Sequence, residues 1–154
     1  MDILINNAVA VITGSILEQS LDDWDRIYNV NLRAAVMTIK TFLPAMLDQK
    51  DETIVLVASA ECMPFLTPYS ASKAALTSLG FSLAAELDEE SGVSVFIFGP
   101  GMVDTPAIRE AAEDIAPLYG MTYEEFMQQS VNAGYDGIMP AGLCCGICIY
   151  YCAC

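Results

Sequence analysis

Two hydrophobic patterns alternate along most of the chain. Short apolar runs of strand length occupy residues 2–6, 53–58 and 93–98. Between these runs, apolar residues recur every three or four positions from Trp24 to Met46 and from about Tyr69 to Glu90, which predicts two long helices. Strands that alternate with long helices predict a parallel sheet covered by helices, so we expect an α/β protein.

Capping residues and chain breakers predict the boundaries of these elements. Ser20, followed by two aspartates, is typical of a helix N-terminus, because its side chain accepts a bond from the first turn and acidic groups face the helix dipole. Gly92 is predicted to end the second long helix, and Gly99-Pro100-Gly101 to end the third strand. Residues 106–135 are expected to form short amphipathic helices.

Composition and charge exclude several classes of function. The 154 residues suffice for one domain with a single core. Acidic residues number 20 and basic residues 6, and the net charge of −14 argues against binding to a phosphate backbone. Histidine is absent, which excludes Ser-His and Cys-His catalytic pairs. Residues 1–6 contain no basic leader, so we expect a cytoplasmic protein. We expect no membrane partner and, because of the negative charge, no nucleic-acid partner.

Polar residues that are candidates for binding or catalysis follow the predicted strands. Asn6, Ser59 and Pro100 each stand at a strand's carboxyl end, where parallel α/β sheets bind ligands. Tyr69 and Lys73 are four residues apart and share one face of the second long helix. A neighbouring cation lowers the pKa of a phenol and makes it a useful acid or base. Taken alone, the pair is better explained by a snorkelling lysine beside a packed tyrosine whose hydroxyl is in contact with water.

These motifs occur together in one order along the chain. They are Asn6-Asn7-Ala8, Asn31 within the first helix, Ser59, Tyr-Ser-Ala-Ser-Lys at 69–73 and Pro-Gly-Met-Val-Asp-Thr at 100–105. From residue 2 to about 135 the sequence resembles the short-chain dehydrogenase/reductase family. The resemblance implies a three-layer Rossmann-type doubly wound parallel sheet. It also implies an oxidoreductase that transfers a hydride between NAD or NADP and an alcohol or ketone.

The resemblance further implies a catalytic role for each of four residues. Tyr69 is expected to be the general acid/base on the substrate oxygen, and Lys73 to lower the pKa of Tyr69 and to bind the nicotinamide ribose. Ser59 is expected to hold the substrate oxygen, and Asn31 to anchor a water in a proton relay. Taken singly, Asn31 is equally explained as a polar residue at a helix kink and Ser59 as a strand-end cap.

Cofactor and substrate contacts are implied in the same way. Asn6 and Ala8 are expected to border the cofactor, whereas Pro100, Val103 and Thr105 face its nicotinamide. An apolar substrate is favoured because apolar and aromatic residues of the 106–135 region and its approach are expected to cover the site, namely Met102, Ile108, Leu118, Tyr119, Met121, Phe126 and Met127. The alternative is that these side chains only pack a small core of their own.

Three features depart from the family pattern. The chain contains no Thr-Gly-x-x-x-Gly-x-Gly turn to hold a pyrophosphate, so we expect a truncated Rossmann domain over residues 1–136 with impaired cofactor binding. Val9 replaces a glycine where backbone crowding is expected. The spacing from Ser59 to Tyr69 is short and requires a tight loop. The competing hypothesis is therefore an inactive truncated fragment that only binds a partner or has no function. A homo-oligomer is expected, which forms through an exposed edge of the sheet or through the two long helices that the resemblance implies as the subunit interface.

The C-terminal segment, residues 137–154, is the least typical part of the chain. It carries no charge, and five of the six cysteines fall within residues 144–154. A zinc site on Cys145 and Cys148 lacks a second distant pair of ligands, and glycine and proline interrupt the segment as a membrane anchor. A product of a shifted reading frame is the interpretation we prefer, and no metal is expected.

Overall fold

The computed structural model describes residues 2–59, 62–129, 138–140 and 150–153. The regular elements are, in chain order, β1 (Ile3–Asn6), α1 (Leu21–Tyr28), a π-helical turn (Asn29–Arg33), α2 (Ala34–Gln49), β2 (Glu52–Val57), α3 (Thr67–Glu86), β3 (Val93–Phe98), β4 (Val103–Asp104), α4 (Pro106–Ile115), α5 (Tyr123–Gln129), β5 (Met139–Pro140) and β6 (Tyr150–Ala153). Short 3-10 turns cover Glu89–Ser91 and Ala116–Tyr119. Within the described ranges, no helix has the length and apolarity that a bilayer crossing requires.

The first three strands form the parallel sheet that the hydrophobic pattern predicts. β2 lies between β1 and β3, and Leu4, Ile54 and Val95 stand side by side across the three strands. β6 pairs with the outer side of β3 in the antiparallel direction. This fourth strand was not predicted, because it depends on pairing with β3 and the cysteine-rich composition of the tail carries no strand pattern. β4 and β5 form a separate parallel pair.

Helices α2 and α3 cover one face of this sheet. Their buried apolar side chains pack with those strand residues that point to the same side, in a core that consists of Leu4, Ala35, Ile39, Met46, Ile54, Leu56, Leu76, Leu83, Val93 and Val95. The strand residues between them point to the opposite face. There Ile3 and Ile5 are 56% and 61% exposed. The described residues therefore provide the sheet and one layer of helices.

The first long helix is continuous from Leu21 to Gln49 but changes its winding in the middle. Ser20 caps it as predicted, because its hydroxyl oxygen accepts the Asp23 N–H. The Asp23 carboxylate accepts the Ser20 backbone N–H, which completes a capping box. The bonds from the Ser20 side chain and backbone lower the pKa of Asp23. At Asn29–Arg33 the helix widens to a π turn, which lies around Asn31. Such turns are rare in proteins, and those that do occur are often found at functional sites.

The second long helix differs from its prediction at both ends. α3 begins at Thr67, because Pro68 suits a first helical turn that needs no N–H donor. It ends at Glu86, so the prediction that Gly92 ends it was wrong. Gly92 instead follows a 3-10 turn, with φ of +67°, and turns the chain into β3.

A second apolar cluster lies beyond the carboxyl end of the sheet. Its buried residues come from α4, α5, the turn between them and the segment before α3, namely Leu66, Ala112, Ile115, Ala116 and Phe126. Tyr69 and Met102 pack against it from the sheet side. Short helices after residue 105 were predicted, and their apolar faces meet in this cluster.

Gly80 determines how closely α3 approaches the sheet. A Cβ atom at this position would lie 2.8 Å from Cγ1 of Ile97 and 3.1 Å from Cδ1 of Leu56. Both neighbours are buried strand residues, and χ1 of a β-branched isoleucine is restricted, so its side chain has little freedom to turn away. The helix therefore packs on β2 and β3 at a distance that only glycine permits.

Replacing Gly80 by valine should destabilise the protein by about 1–3 kcal/mol, because the added side chain overpacks the contact with Ile97 and Leu56. Thermal unfolding followed by circular dichroism measures the effect. Ser78→Val, at an exposed position of the same helix, is the control for β-branching. Equal melting temperatures for the two variants would contradict the close contact.

Candidate active site

An apolar cavity of about 90 Å³ lies between the end of β2, the first turn of α3 and the second cluster. Two hydroxyl-bearing side chains line it, those of Ser59 and Tyr69. The rest of its wall is glycine and apolar side chains, namely Val11, Met63, Leu66, Gly101, Met102, Ile108, Ala111, Ala112, Ile115 and Phe126. A group that enters the cavity therefore meets hydrogen-bonding capacity at one place and apolar surface elsewhere.

Ser59 and Tyr69 reach the cavity from two different elements. Ser59 follows β2, where the backbone N–H of Ala58 still bonds to the carbonyl of Phe98 at 2.8 Å and extends the ladder. Tyr69 stands in the first turn of α3, and its ring packs against the second cluster. The structure thus brings together two of the four residues expected to be catalytic at one cavity.

The described part of the segment between these two residues contains a strained backbone position. Phe65 adopts a left-handed φ of 63°, which is unfavourable for a bulky side chain and costs about 1–3 kcal/mol. Two contacts hold it there: the Gly14 N–H donates to the Phe65 carbonyl at 2.9 Å, and the Phe65 ring meets Tyr119 edge-on with centroids 5.5 Å apart.

Lys73 lies beneath Tyr69 and is 3% exposed. Its Nζ donates to the carbonyl of Val57 at 2.6 Å and lies 5.8 Å from the centroid of the Tyr69 ring. Burial lowers the pKa of Lys73 to about 8 from its usual 10.5. The snorkelling alternative is therefore wrong, because this ammonium points into the protein rather than into water.

Asn31 is 2% exposed and its side-chain amide is fully engaged by the protein. Its Oδ1 accepts the N–H of Ala10 at 2.7 Å, while its Nδ2 donates to the Ala10 carbonyl at 3.0 Å and to Ser72 Oγ at 2.9 Å. Asn31 does lie at an irregularity of the helix, since it is within the π turn. That it anchors a water stays a prediction.

The residues expected near the cofactor follow β1 and β3. Asn6 ends β1, where its Oδ1 accepts the Thr38 hydroxyl and its Nδ2 is buried without a partner among the described residues. Ala8 is exposed in the next segment. Val9 is 52% exposed, so its side chain meets no crowding in the described part of the chain.

The other three residues that are expected to contact the cofactor lie around β4. Pro100 is half-buried between β3 and β4, and Val103 pairs with Met139 within the β4–β5 ladder. Thr105 caps α4, where its hydroxyl accepts the Ile108 N–H at 3.3 Å. None of these three lines the cavity, and their contacts with a nicotinamide stay predictions.

The apolar cover is partly as predicted. Met102, Ile108 and Phe126 line the cavity, whereas Tyr119 and Met127 pack within the second cluster and Leu118 is 39% exposed. Both interpretations of this region therefore apply to different residues. The sequence analysis missed Val11 and the alanines of α4, because neither a lone valine in a loop nor alanine in a helix signals a binding wall.

Comparisons with known proteins bear on this arrangement. The family model described as short chain dehydrogenase matches residues 1–116. The chain belongs to the short-chain dehydrogenase family. It is 42% identical over 117 residues to a dehydrogenase/reductase SDR family member 6 of Aquarana catesbeiana, a match that covers 73% of this chain and 47% of that protein. It is 39% identical over 109 residues to an uncharacterized oxidoreductase of Staphylococcus saprophyticus, covering 69% and 46%.

Solved structures of short-chain dehydrogenases share the fold of this chain. An actinorhodin polyketide ketoreductase variant determined with NADPH superposes with a TM-score of 0.76 at 28% identity, over 83% of this chain and 51% of that one. Sorbitol-6-phosphate 2-dehydrogenase from Erwinia amylovora gives a TM-score of 0.77 at 25% identity, over 84% and 52%. The Rossmann-type fold is thereby confirmed. The chain spans about half the length of the relatives it matches.

Titration of the buried Lys73 should make this short-chain dehydrogenase chain more stable as pH rises. From about pH 8 to 10.5 the folded protein has lost the Lys73 proton while the unfolded chain still binds it, so the free energy of unfolding increases with pH. Relative to Lys73→Met, the native protein should gain up to about 2 kcal/mol between pH 8 and 10. Urea unfolding at several pH values measures it, with Lys40→Met, exposed on α2, as control. A constant difference would contradict a buried, titrating ammonium.

Proposed function

We propose that this chain carries the acid/base half of an NAD(P)-dependent oxidoreductase that interconverts a ketone and an alcohol. The observation that carries the proposal is the common cavity of Ser59 and Tyr69, with the buried ammonium of Lys73 below the Tyr69 ring. Family membership supports it, since the curated relatives bear the names of dehydrogenases and oxidoreductases.

Each of the three side chains has a separate task in this proposal. In the reducing direction the Tyr69 hydroxyl gives its proton to the carbonyl oxygen, and the Ser59 hydroxyl donates a hydrogen bond to the same oxygen. The Lys73 cation stabilises the phenolate that remains on Tyr69. Alcohol oxidation reverses these steps, because the phenolate then accepts the alcohol proton. The hydride itself comes from or goes to the nicotinamide ring when the dinucleotide is bound.

The residues present fit the nicotinamide end of such a cofactor. Lys73 bonds to the Val57 carbonyl with one N–H, which leaves further donors of the same ammonium for ribose hydroxyls. Asn6 Nδ2 is a buried donor at the carboxyl end of β1, for which the described residues provide no acceptor. A buried donor of this kind is costly unless a ligand or water pairs with it, so it suits a bound polar group.

The adenosine end has no comparable set of residues in these 154 positions. No glycine-rich strand-to-helix turn occurs in the sequence to bring backbone N–H groups against a pyrophosphate. We expect this chain alone to bind NADH and NADPH more weakly than micromolar, and calorimetric titration measures the affinity. Micromolar binding of either dinucleotide would overturn this expectation and would distinguish NAD from NADP preference.

The cavity wall favours a substrate with an apolar group beside its carbonyl. Apart from Ser59 and Tyr69, its described lining is glycine and apolar side chains. Arg109, the cation on α4, is held by Asp104 through two bonds of 2.7 and 2.8 Å and does not line this cavity. An anionic substrate group would lose its hydration here without gaining a partner.

Replacing Tyr69 by phenylalanine tests the proposed reaction. With millimolar NADPH and a panel of small apolar ketones, Tyr69→Phe should lower turnover by at least about a hundredfold, since the proton donor is lost while the ring remains. Tyr28→Phe, which keeps its stack on Trp24 away from the cavity, should retain activity. Lys73→Ala should impair both turnover and dinucleotide binding.

The outcome also separates the enzyme from its alternative. Folded native protein that oxidises no NADPH with any ketone would overturn the proposed function and favour an inactive, partner-binding fragment. Equal and mild losses in Tyr69→Phe and Lys73→Ala would reject the roles given to these two residues.

We also propose that the chain self-associates through apolar surface that the described residues leave uncovered. Ile3 and Ile5 on the open sheet face are more than half exposed, and the net charge of −14 that opposes association is screened by salt. Ile5→Lys should therefore reduce oligomers at high salt in sedimentation velocity runs. Leu17→Lys, at a residue 93% exposed outside the sheet, is the control. A salt-independent monomer would contradict self-association.

A further inference from the structure

Ser72 is a buried polar residue that the predicted catalytic set does not include. It is 0% exposed, in the helix turn between Tyr69 and Lys73. Its Oγ donates to the carbonyl of Tyr69 at 2.7 Å and accepts from Asn31 Nδ2 at 2.9 Å. Both the donor and the acceptor capacity of this hydroxyl are therefore used inside the protein.

Through Ser72, a continuous chain of hydrogen bonds joins three separate segments. The segment after β1 contributes the N–H and carbonyl of Ala10, both bonded to the Asn31 amide in the π turn. Asn31 in turn bonds to Ser72, which bonds to the backbone of Tyr69 in α3. Ala10 and Asn31 are 21 residues apart and Asn31 and Ser72 are 41 apart, so these bonds connect distant parts of the sequence.

Because these hydrogen bonds are buried, the loss of any one of them is costly. Removal of the Ser72 hydroxyl leaves an Nδ2 hydrogen of Asn31 without an acceptor at a site 2% exposed, which water does not easily replace. The amide then relaxes toward another partner, and its paired bonds to Ala10 loosen with it. At the other end, the carbonyl of Tyr69 loses the hydrogen bond that the Ser72 hydroxyl donates to it.

We propose that Ser72 is a positioning residue that couples the segment after β1, through Asn31, to the catalytic hydroxyl of Tyr69. Its catalytic meaning rests on the proposed function. Ser72 touches no part of the cavity, and it acts by fixing the backbone from which Tyr69 projects. A displacement of a proton donor by a fraction of an ångström lowers turnover more than it lowers ground-state binding.

Ser70 provides a matched control two residues away on the same helix. Its Oγ is buried and has no hydrogen-bond partner among the described residues. Ser70→Ala and Ser72→Ala therefore remove the same atom from the same turn of α3, but only the second removes members of the hydrogen-bond chain.

The first readout is hydrogen exchange of the Ala10 amide in the full chain, followed by NMR. Ser72→Ala should lower the protection of this amide about three- to tenfold, the effect of weakening one hydrogen bond, whereas Ser70→Ala should change it less than about twofold. In an Asn31→Ala background, Ser72→Ala should have no further effect on Ala10, because the connecting residue is already absent.

The second readout follows Tyr69 itself. With ¹³Cζ-labelled tyrosine, the resonance that disappears in Tyr69→Phe should shift in Ser72→Ala and stay unchanged in Ser70→Ala. In turnover assays, kcat should fall about tenfold in Ser72→Ala with KM for the ketone within about twofold of the native value.

These measurements keep the inference separate from the proposed function. Native protein without turnover defeats the proposed function, while the exchange and tyrosine signals still decide the coupling. Unchanged Ala10 protection in Ser72→Ala, or equal losses in Ser70→Ala, overturns the coupling. Loss of Ala10 protection with an unmoved Tyr69 resonance also overturns it, since Ser72 is then a tether of the loop alone.

Discussion

The close contact of α3 with the sheet at Gly80 determines the geometry of the whole site. Because Gly80 has no Cβ, the backbone of the helix packs directly against the side chains of Ile97 and Leu56. Lys73 lies about two helical turns before Gly80 in α3, and its Nζ donates to the Val57 carbonyl at 2.6 Å. Tyr69 lies one turn before Lys73, near the end of β2, where it lines the same cavity as Ser59. Packing in the core thus fixes distances among the chemical groups.

This geometry has an electrostatic consequence. Burying an ammonium with one carbonyl acceptor is unfavourable, and the lowered pKa of Lys73 expresses that cost. Since its pKa remains near 8, Lys73 is still mostly protonated at neutral pH, where a cation close to Tyr69 is useful. The same burial therefore lowers stability below pH 8 and strengthens the field that acts on the phenol.

Sequence reasoning predicted the parallel strands, the long helices and the Ser20 cap, because each depends on local periodicity or on a capping side chain. It also predicted that Ser59 and Tyr69 converge, since the ends of parallel strands meet at one edge. It missed the Asn31–Ser72 bond, which joins residues 41 apart and leaves no periodic signal. It extended α3 to about Glu90 and made Gly92 its terminating residue, because a glycine is a common helix end. The helix ends at Glu86, and Gly92 precedes the following strand. The strand β6 depends on pairing with β3, which composition does not reveal.

The residues proposed to carry the chemistry and those that line most of the cavity belong to two different packing units. Lys73 and Ser72 are buried beside the core that α2 and α3 form with the sheet, whereas most of the cavity's apolar wall belongs to the cluster of α4 and α5. Tyr69 lies at the boundary, with its helix on the first core and its ring against the second. Changes in α4 or α5 therefore reshape the wall that a substrate meets without moving the ammonium below the phenol.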